Sequence, residues 1–409
     1  MLFGAASLRG GARCMEVVQE FFGVKQKMPS WHSGRLWLMR IGLFLLKQPK
    51  RKADDWIWII DHTVKIGCEK CFVILGIRQC NLPPAGKSIQ HRDLELIELL
   101  PVKKSNGDIV YKQLEKAAKK TGIPRAILSD NGSDIKAGVD KYCEKHVLVS
   151  PLYDITHKVA CLLKKQLHKN TRWNEFVSFT SKVKNLLQQT PLAHLRPPKQ
   201  RSKARYMNVS PLIQWAQRVM FIVKHPNKKN TKIKKVLGEI IEFEDELVTW
   251  GEMMNMCNEA THYMRTQCLQ SDSKEHFKAH LEKKYPEIKT SIGQAMKEDV
   301  LNFIGDQQVE CYYEDEKLPA SSEVIESIFG KQKYIDGDQS GNGFTGLVLS
   351  IGVIVSTISD DLIKTALTKV KTSDVIKWYK KHIKKSVQAK RLEAFSGGSG
   401  GTKIGSINN

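Results

Sequence analysis

Three acidic side chains stand where chemistry could be done. Asp61 closes the run WIWIID and Asp130 closes AILSD, each a carboxylate at the tip of a short stretch of apolar residues. An acid with an apolar run beneath it is a poor structural choice unless it meets a cation. Glu326 lies in SSEVIESIFGKQKY, which has a helical pattern, and Lys333 follows seven residues later, two turns along the same face. Carboxylates converging on rigid elements are what two divalent cations about 3.5–4 Å apart require if they are to be held around one phosphate. Taken singly, each aspartate could be a cap or a turn residue, and Asp130-Asn131-Gly132 is a turn signal by itself. Glu323, after Ser321 and Ser322, fits a first-turn or capping-box acid.

The elements that would carry these acids follow from the pattern around them. From Asp54 onward, WIWIID, KCFVILGIR and LELIELLPV are three strand-like runs bounded by Gly, Pro and polar clusters. An amphipathic helix through Val110, Leu114 and Ala117 with Gly122 as its stop, the strand PRAILSD, a helix over 134–146, the strand VLVSPLYDI and the helix HKVACLLKKQLHK come next. The order βββαβαβα predicts an α/β fold with a mixed five-stranded sheet in the order 3-2-1-4-5, flanked by helices. In that order the first and fourth strands are parallel neighbours where the order reverses, so Asp61 and Asp130 would emerge side by side. His157 and Lys158, with Asp154, fall at the same sheet edge and could support a site there, or could simply start a helix and face solvent.

Charge sets the expected partner. The 409 residues carry 65 Lys and Arg against 43 Asp and Glu, a formal charge of +22 that points to a polyanion. Apolar residues make up 41% of the chain and charged residues 26%, the profile of a folded globular protein with room for two or three domains. No apolar stretch reaches the length of a membrane span, the start MLFGAASLRGGARC lacks a secretory signal pattern, and nine scattered cysteines suit a reducing compartment. A cytoplasmic protein with no membrane partner is therefore expected. Cys68 and Cys71 form a lone C-x-x-C pair without a second pair at zinc spacing.

Residues 1–46 outline two helices and a turn, with Ser30 as N-cap and Arg35 near the start of the second. They can be read as a helix-turn-helix-like DNA-binding segment with a first helix missing before Met1, or as a hairpin packed on the next domain. A basic linker, 47–53, precedes the sheet region 54–170. Residues 171–318 carry helical patterns and almost no strand signal, so an all-α insertion is expected there. Between Phe176 and Gly238 it holds 14 Lys and Arg and no acid, among them Arg196, Lys199, Arg201, Lys203, Arg205, Lys228 and Lys229. A phosphate-facing surface is the favoured explanation, and a solvated face the plain one. Trp173 and Trp250 are expected in its core. Residues 319–343 would return to the sheet region with the third acid, 344–395 would form a helical end whose Lys377, Lys380 and Lys381 could bind phosphate, and 396–409 would be a low-complexity tail.

These residues carry a resemblance. Asp61 with Thr63 two residues on, Asp130-Asn131-Gly132, and Glu326 with Lys333 seven residues later resemble the DDE transposases of prokaryotic insertion sequences, over roughly residues 54–165 and 319–334. The tyrosine and arginine that precede the glutamate in one large branch of that family are Pro319 and Ser322 here. The resemblance implies an RNase H-like catalytic domain interrupted by an α-helical insertion. It also implies two Mg²⁺ or Mn²⁺ ions held by Asp61, Asp130 and Glu326, double-stranded DNA bound at transposon ends and target, phosphate contact by Lys333, and a homodimer joining two ends. Strand cleavage followed by strand transfer would be the activity. A catalytically inactive or domesticated DNA-binding protein, or an RNase H-like nuclease without strand transfer, are the alternatives.

Overall fold

The computed structural model describes residues 6–64, 69–199, 206, 209–225, 231–337, 344–384 and 387–396. Two helices, α1 (Leu8–Phe21) and α2 (Trp31–Lys47), lead into β1 (Trp56–Val64), β2 (Lys70–Arg78), β3 (Glu95–Val102), α3 (Gly107–Thr121), β4 (Ala126–Ser129), α4 (Ser133–Lys145), β5 (Ser150–Tyr153) and α5 (Ile155–Leu167). The five strands form one sheet in the order β3-β2-β1-β4-β5. β2 runs antiparallel to β1 and β3, while β4 is parallel to both β1 and β5. The chain is thus an α/β protein with the strand order expected from its sequence.

β1 is apolar on both faces because both are covered. Trp56, Trp58, Ile60, Phe72, Ile74 and Ile127 pack beneath α3 and α4. Ile57, Ile59, Val73, Leu75, Leu128 and Leu152 belong to the opposite core. That second core continues into α2, whose Leu38, Met39, Ile41, Leu43, Leu45 and Leu46 are all buried. A Cβ on Gly42 would lie 2.0 Å from the carbonyl oxygen of Leu349, so only glycine permits this approach of backbone to backbone. The C-terminal half of α2 is therefore a core helix, whereas Leu8 is the one buried residue of α1.

Residues 171–318 are helical: α6 (Thr171–Leu187), α7 (Ser210–Lys224), α8 (Thr231–Leu237), α9 (Glu244–Gln267), α10 (Ser273–Lys284) and α11 (Ser291–Gln308). Among the described residues the sole β pairing there is an isolated bridge, Leu269 to Leu318. Trp173 and Trp250 are buried and meet edge to face at 4.9 Å, so both serve the core. The chain then returns to the sheet through α12 (Glu323–Asp336), followed by α13 (Ser350–Ile354), α14 (Asp360–Lys369), α15 (Thr372–His382) and α16 (Val387–Ser396). Among the described residues no helix is long and apolar enough to cross a membrane.

Candidate active site

β1 and β4 place the first two acids. Their parallel pairing ends at Ile60 with Ser129, and the next residue on each strand is an aspartate. β1 does not stop at Asp61, as its apolar run suggests, but continues to Val64 because Asp61, Thr63 and Val64 pair with Val73, Cys71 and Lys70 of the antiparallel neighbour. β4 does stop, turning through Asn131, whose φ of 55° is left-handed, and Gly132. Side chains alternate along a strand, so Asp61 shares the face of Ile57 and Ile59, and Asp130 that of Ala126 and Leu128. The two carboxylates emerge next to each other on one face.

Neither acid meets a cation. Asp61 Oδ1 accepts the amide of His62 at 2.5 Å, and Asp130 Oδ1 accepts the amide of Gly132 at 2.9 Å. Among the described residues no Lys, Arg or His forms an ion pair with either. Burial above all, and then the charge of Asp130, push the Asp61 carboxyl up to about 8. A side chain held in that state stores free energy that a cation would release.

The third acid arrives by a clasp between two helix starts. Asp154, on the same face as Leu152 and fully buried, caps α5 by accepting the amide of Thr156 at 3.0 Å. Its other oxygen accepts from His157 Nδ1 at 2.9 Å and from Ser322 Oγ at 2.8 Å. Beside it the Ile155 amide donates to the Ala320 carbonyl at 2.9 Å. Ser322 immediately precedes α12, and its hydroxyl serves Asp154 instead of capping that helix. Glu326 is thereby held in the first turn of α12, with Oε1 3.8 Å from His157 Nε2. Burial opposes a charge on His157, but the hydrogen bond and charge of Asp154, with Asp130 and Glu326, outweigh it and raise the imidazole to about 9. Burial, then the charges of Asp154, Glu323 and Asp130, raise the Glu326 carboxyl, against the pull of His157.

Asp61, Asp130, Glu326 and His157 thus lie within electrostatic reach of one another. As they stand, no three His, Cys, Asp or Glu side chains among the described residues form a group that could hold a metal ion. The donor chemistry nevertheless suits a hard divalent cation: three carboxylates, two of them pushed toward the protonated state by burial and mutual repulsion.

The remaining expected residues are dispersed. Thr63 is buried on the face of Asp61, with its hydroxyl unpartnered. Lys158 turns away, its ammonium 5.1 Å from the centre of the Phe303 ring. Lys333 is exposed two turns further along α12, and Arg35 is half-buried in α2. Arg196 and Lys199 are exposed, the former donating through Nε to the Ala193 carbonyl at 3.1 Å. Arg201, Lys203, Arg205, Lys228 and Lys229 lie outside the described residues. Part of the basic run faces acids of its own region, since Lys224 pairs with Glu244. Sequence reasoning left Ser322 without a role; its signal was a serine just before a helix, which suggests a cap and nothing further.

No family model and no curated protein sequence matches the chain. Among solved structures, the fold is similar to a chain of the Drosophila P element transposase strand transfer complex, with 11% sequence identity and a TM-score of 0.40, over 85% of this chain and 89% of that one.

Proposed function

We propose that this protein is a DNA transposase that uses Asp61, Asp130 and Glu326 for metal-dependent strand cleavage and strand transfer. The observation that carries the proposal is the convergence of two aspartates that pair with no described cation, at the end of the β1 and β4 pairing, with a glutamate fastened nearby through Asp154 and Ser322. Asp61 and Asp130 would hold two Mg²⁺ or Mn²⁺ ions from the sheet and Glu326 from the helix. Such ions sharpen an oxygen nucleophile and stabilise charge on the leaving oxygen of a phosphodiester. His157, its ring held by Asp154, would steady the Glu326 carboxylate by its charge across 3.8 Å. Lys333 would grip a phosphate without reading bases. The charge of +22 suits double-stranded DNA as substrate and target, and the α1 and α2 segment with Arg35 would contribute to binding transposon ends. A homodimer would bring two ends together.

The test is Mg²⁺-dependent joining of labelled end DNA by the full chain and by Asp130→Ala. A transposase cuts and joins, and the variant loses both activities by about 10²- to 10³-fold, the scale expected when a group acting on transition-state charge is removed. Cutting without joining would identify an RNase H-like nuclease, and binding without either a DNA-binding protein derived from such an enzyme.

A further inference from the structure

Away from the carboxylates, the fold gathers three basic runs that are far apart in sequence. Lys47, Lys50 and Lys52 of the segment after α2 meet Lys116, Lys119 and Lys120 at the end of α3, around a cavity of about 440 Å³. A second cavity of about 270 Å³ is lined by Lys103, Lys381 and Lys384. His382 of α15 lines both, so the two join into one trough beside β3, the edge strand. The first cavity holds one acid, Glu98, and the second one, Glu69.

Both acids are already neutralised. Glu98 is buried between Lys116 at 2.8 Å and Lys120 at 3.2 Å, and Glu69 pairs with Lys390 at 2.5 Å. Lys47, Lys103, Lys119 and Lys381 are exposed and form no ion pair with a described residue. Burial, and further the neighbouring charge of Lys120, lower the Lys50 ammonium below its ordinary range despite its contact with Glu95. Lysines gathered from three runs around cavities whose acids are already paired imply an anionic partner.

We propose that this trough is a second nucleic-acid contact, a cradle for the sugar-phosphate backbone of a DNA duplex. Five residues of β3, Glu98 to Val102, line the two cavities in turn, so the trough follows the strand for roughly 16 Å at about 3.3 Å per residue, enough to meet two or three phosphates. Trp378 and Phe344, which line it, are buried, and the half-buried imidazole of His382 lies against the Trp378 ring at 5.1 Å, so no tryptophan, tyrosine or phenylalanine is left as a platform for stacked bases. That disfavours a single-strand channel, which depends on stacking, and favours backbone contact without base readout. The cradle is separate from Asp61, Asp130 and Glu326 and does not depend on their chemistry.

The experiment is fluorescence anisotropy of a labelled duplex titrated with the full chain in EDTA, repeated over a range of salt. Lys47→Gln/Lys119→Gln/Lys381→Gln is expected to bind about 10- to 100-fold more weakly and to lose roughly 2–3 from the slope of log affinity against log salt, close to one per phosphate contact removed. The matching triple arginine variant keeps both, and thermal melting of both variants shows that the fold is intact. Unchanged affinity and slope in the glutamine variant overturn the proposal. So does a glutamine variant that still binds DNA but no longer binds phosphatidylserine vesicles, since the partner is then a lipid surface. EDTA removes any metal chemistry, so a chain that neither cuts nor joins DNA with Mg²⁺ sinks the catalytic assignment while leaving this result standing.

Discussion

The two ends of β4 treat buried charge in opposite ways. At its base, Arg125 donates to Ser150 Oγ, the Glu310 carbonyl and Glu316 Oε2, each at 2.7 Å. Glu316 also accepts the Tyr312 amide at 2.9 Å, and the Tyr312 ring covers the guanidinium at 4.5 Å. Five residues later, Asp130 stands beside Asp61 with amide contacts and no cation. Both ends sit at the margins of the same apolar sheet, so burial alone does not explain the difference. A buried charge that is compensated in place belongs to the architecture, and one left for compensation from outside belongs to the site.

The largest effect expected from this contrast is at the base. Arg125→Met leaves Glu316 buried and unpaired, and unfolding by denaturant should show a loss of about 3–5 kcal/mol, most of it recovered in Arg125→Met/Glu316→Leu. If the single variant is as stable as the parent, the contrast is broken.

A smaller effect of opposite sign is expected at the tip. The Asp61 carboxyl is raised from 3.8 to about 8 in the folded chain, so the folded state binds its proton more tightly than the unfolded state. This contribution to stability is full below the unfolded value and is lost as pH rises from about 4 to about 8. The full shift corresponds to about 5–6 kcal/mol, and because Asp61 is only half-buried, denaturation in EDTA should show the parent losing on the order of 2–4 kcal/mol across that window relative to Asp61→Asn. Millimolar Mg²⁺ should raise the melting midpoint of the parent at pH 8 and leave that of the variant unmoved.

The smallest effect sharpens the comparison by asking how firmly Glu326 is held. Ser322→Ala removes one donor from the buried Asp154 and should cost about 1–3 kcal/mol. The loss of DNA joining should exceed what the residual folded fraction accounts for, because the first turn of α12 is released from α5. Equal losses of stability and joining would reduce Ser322 to a packing residue.

The contrast also explains what could be seen in the sequence. Apolar runs that end in an acid reveal strand tips, and the order βββαβαβα brings two of those tips together, so the adjacency of Asp61 and Asp130 was legible before any coordinates. Arg125 and Glu316 were not, because a charge does not announce a partner 191 residues away. The bond between Ser322 and Asp154 spans 168 residues and was hidden for the same reason. The extension of β1 past Asp61 was missed because Thr63 and Val64 gain their strand conformation from β2, not from the apolar run before them. For α2 the packed hairpin was one of two open readings, and what the sequence did not reveal is its close fit to Leu349, which depends on a glycine at 42.

The clasp at Asp154 and Ile155 carries one more consequence. The polypeptide leaves the sheet there, travels through α5 and then the helices α6 to α11, and comes back to Ala320 and Ser322 at the same point. Its long detour therefore begins and finishes at a single doorway. That doorway fixes where the excursion returns and so where the glutamate just past it stands, while Arg125, gripped by the Glu310 carbonyl and Glu316, moors the far side of the same excursion to the base of β4.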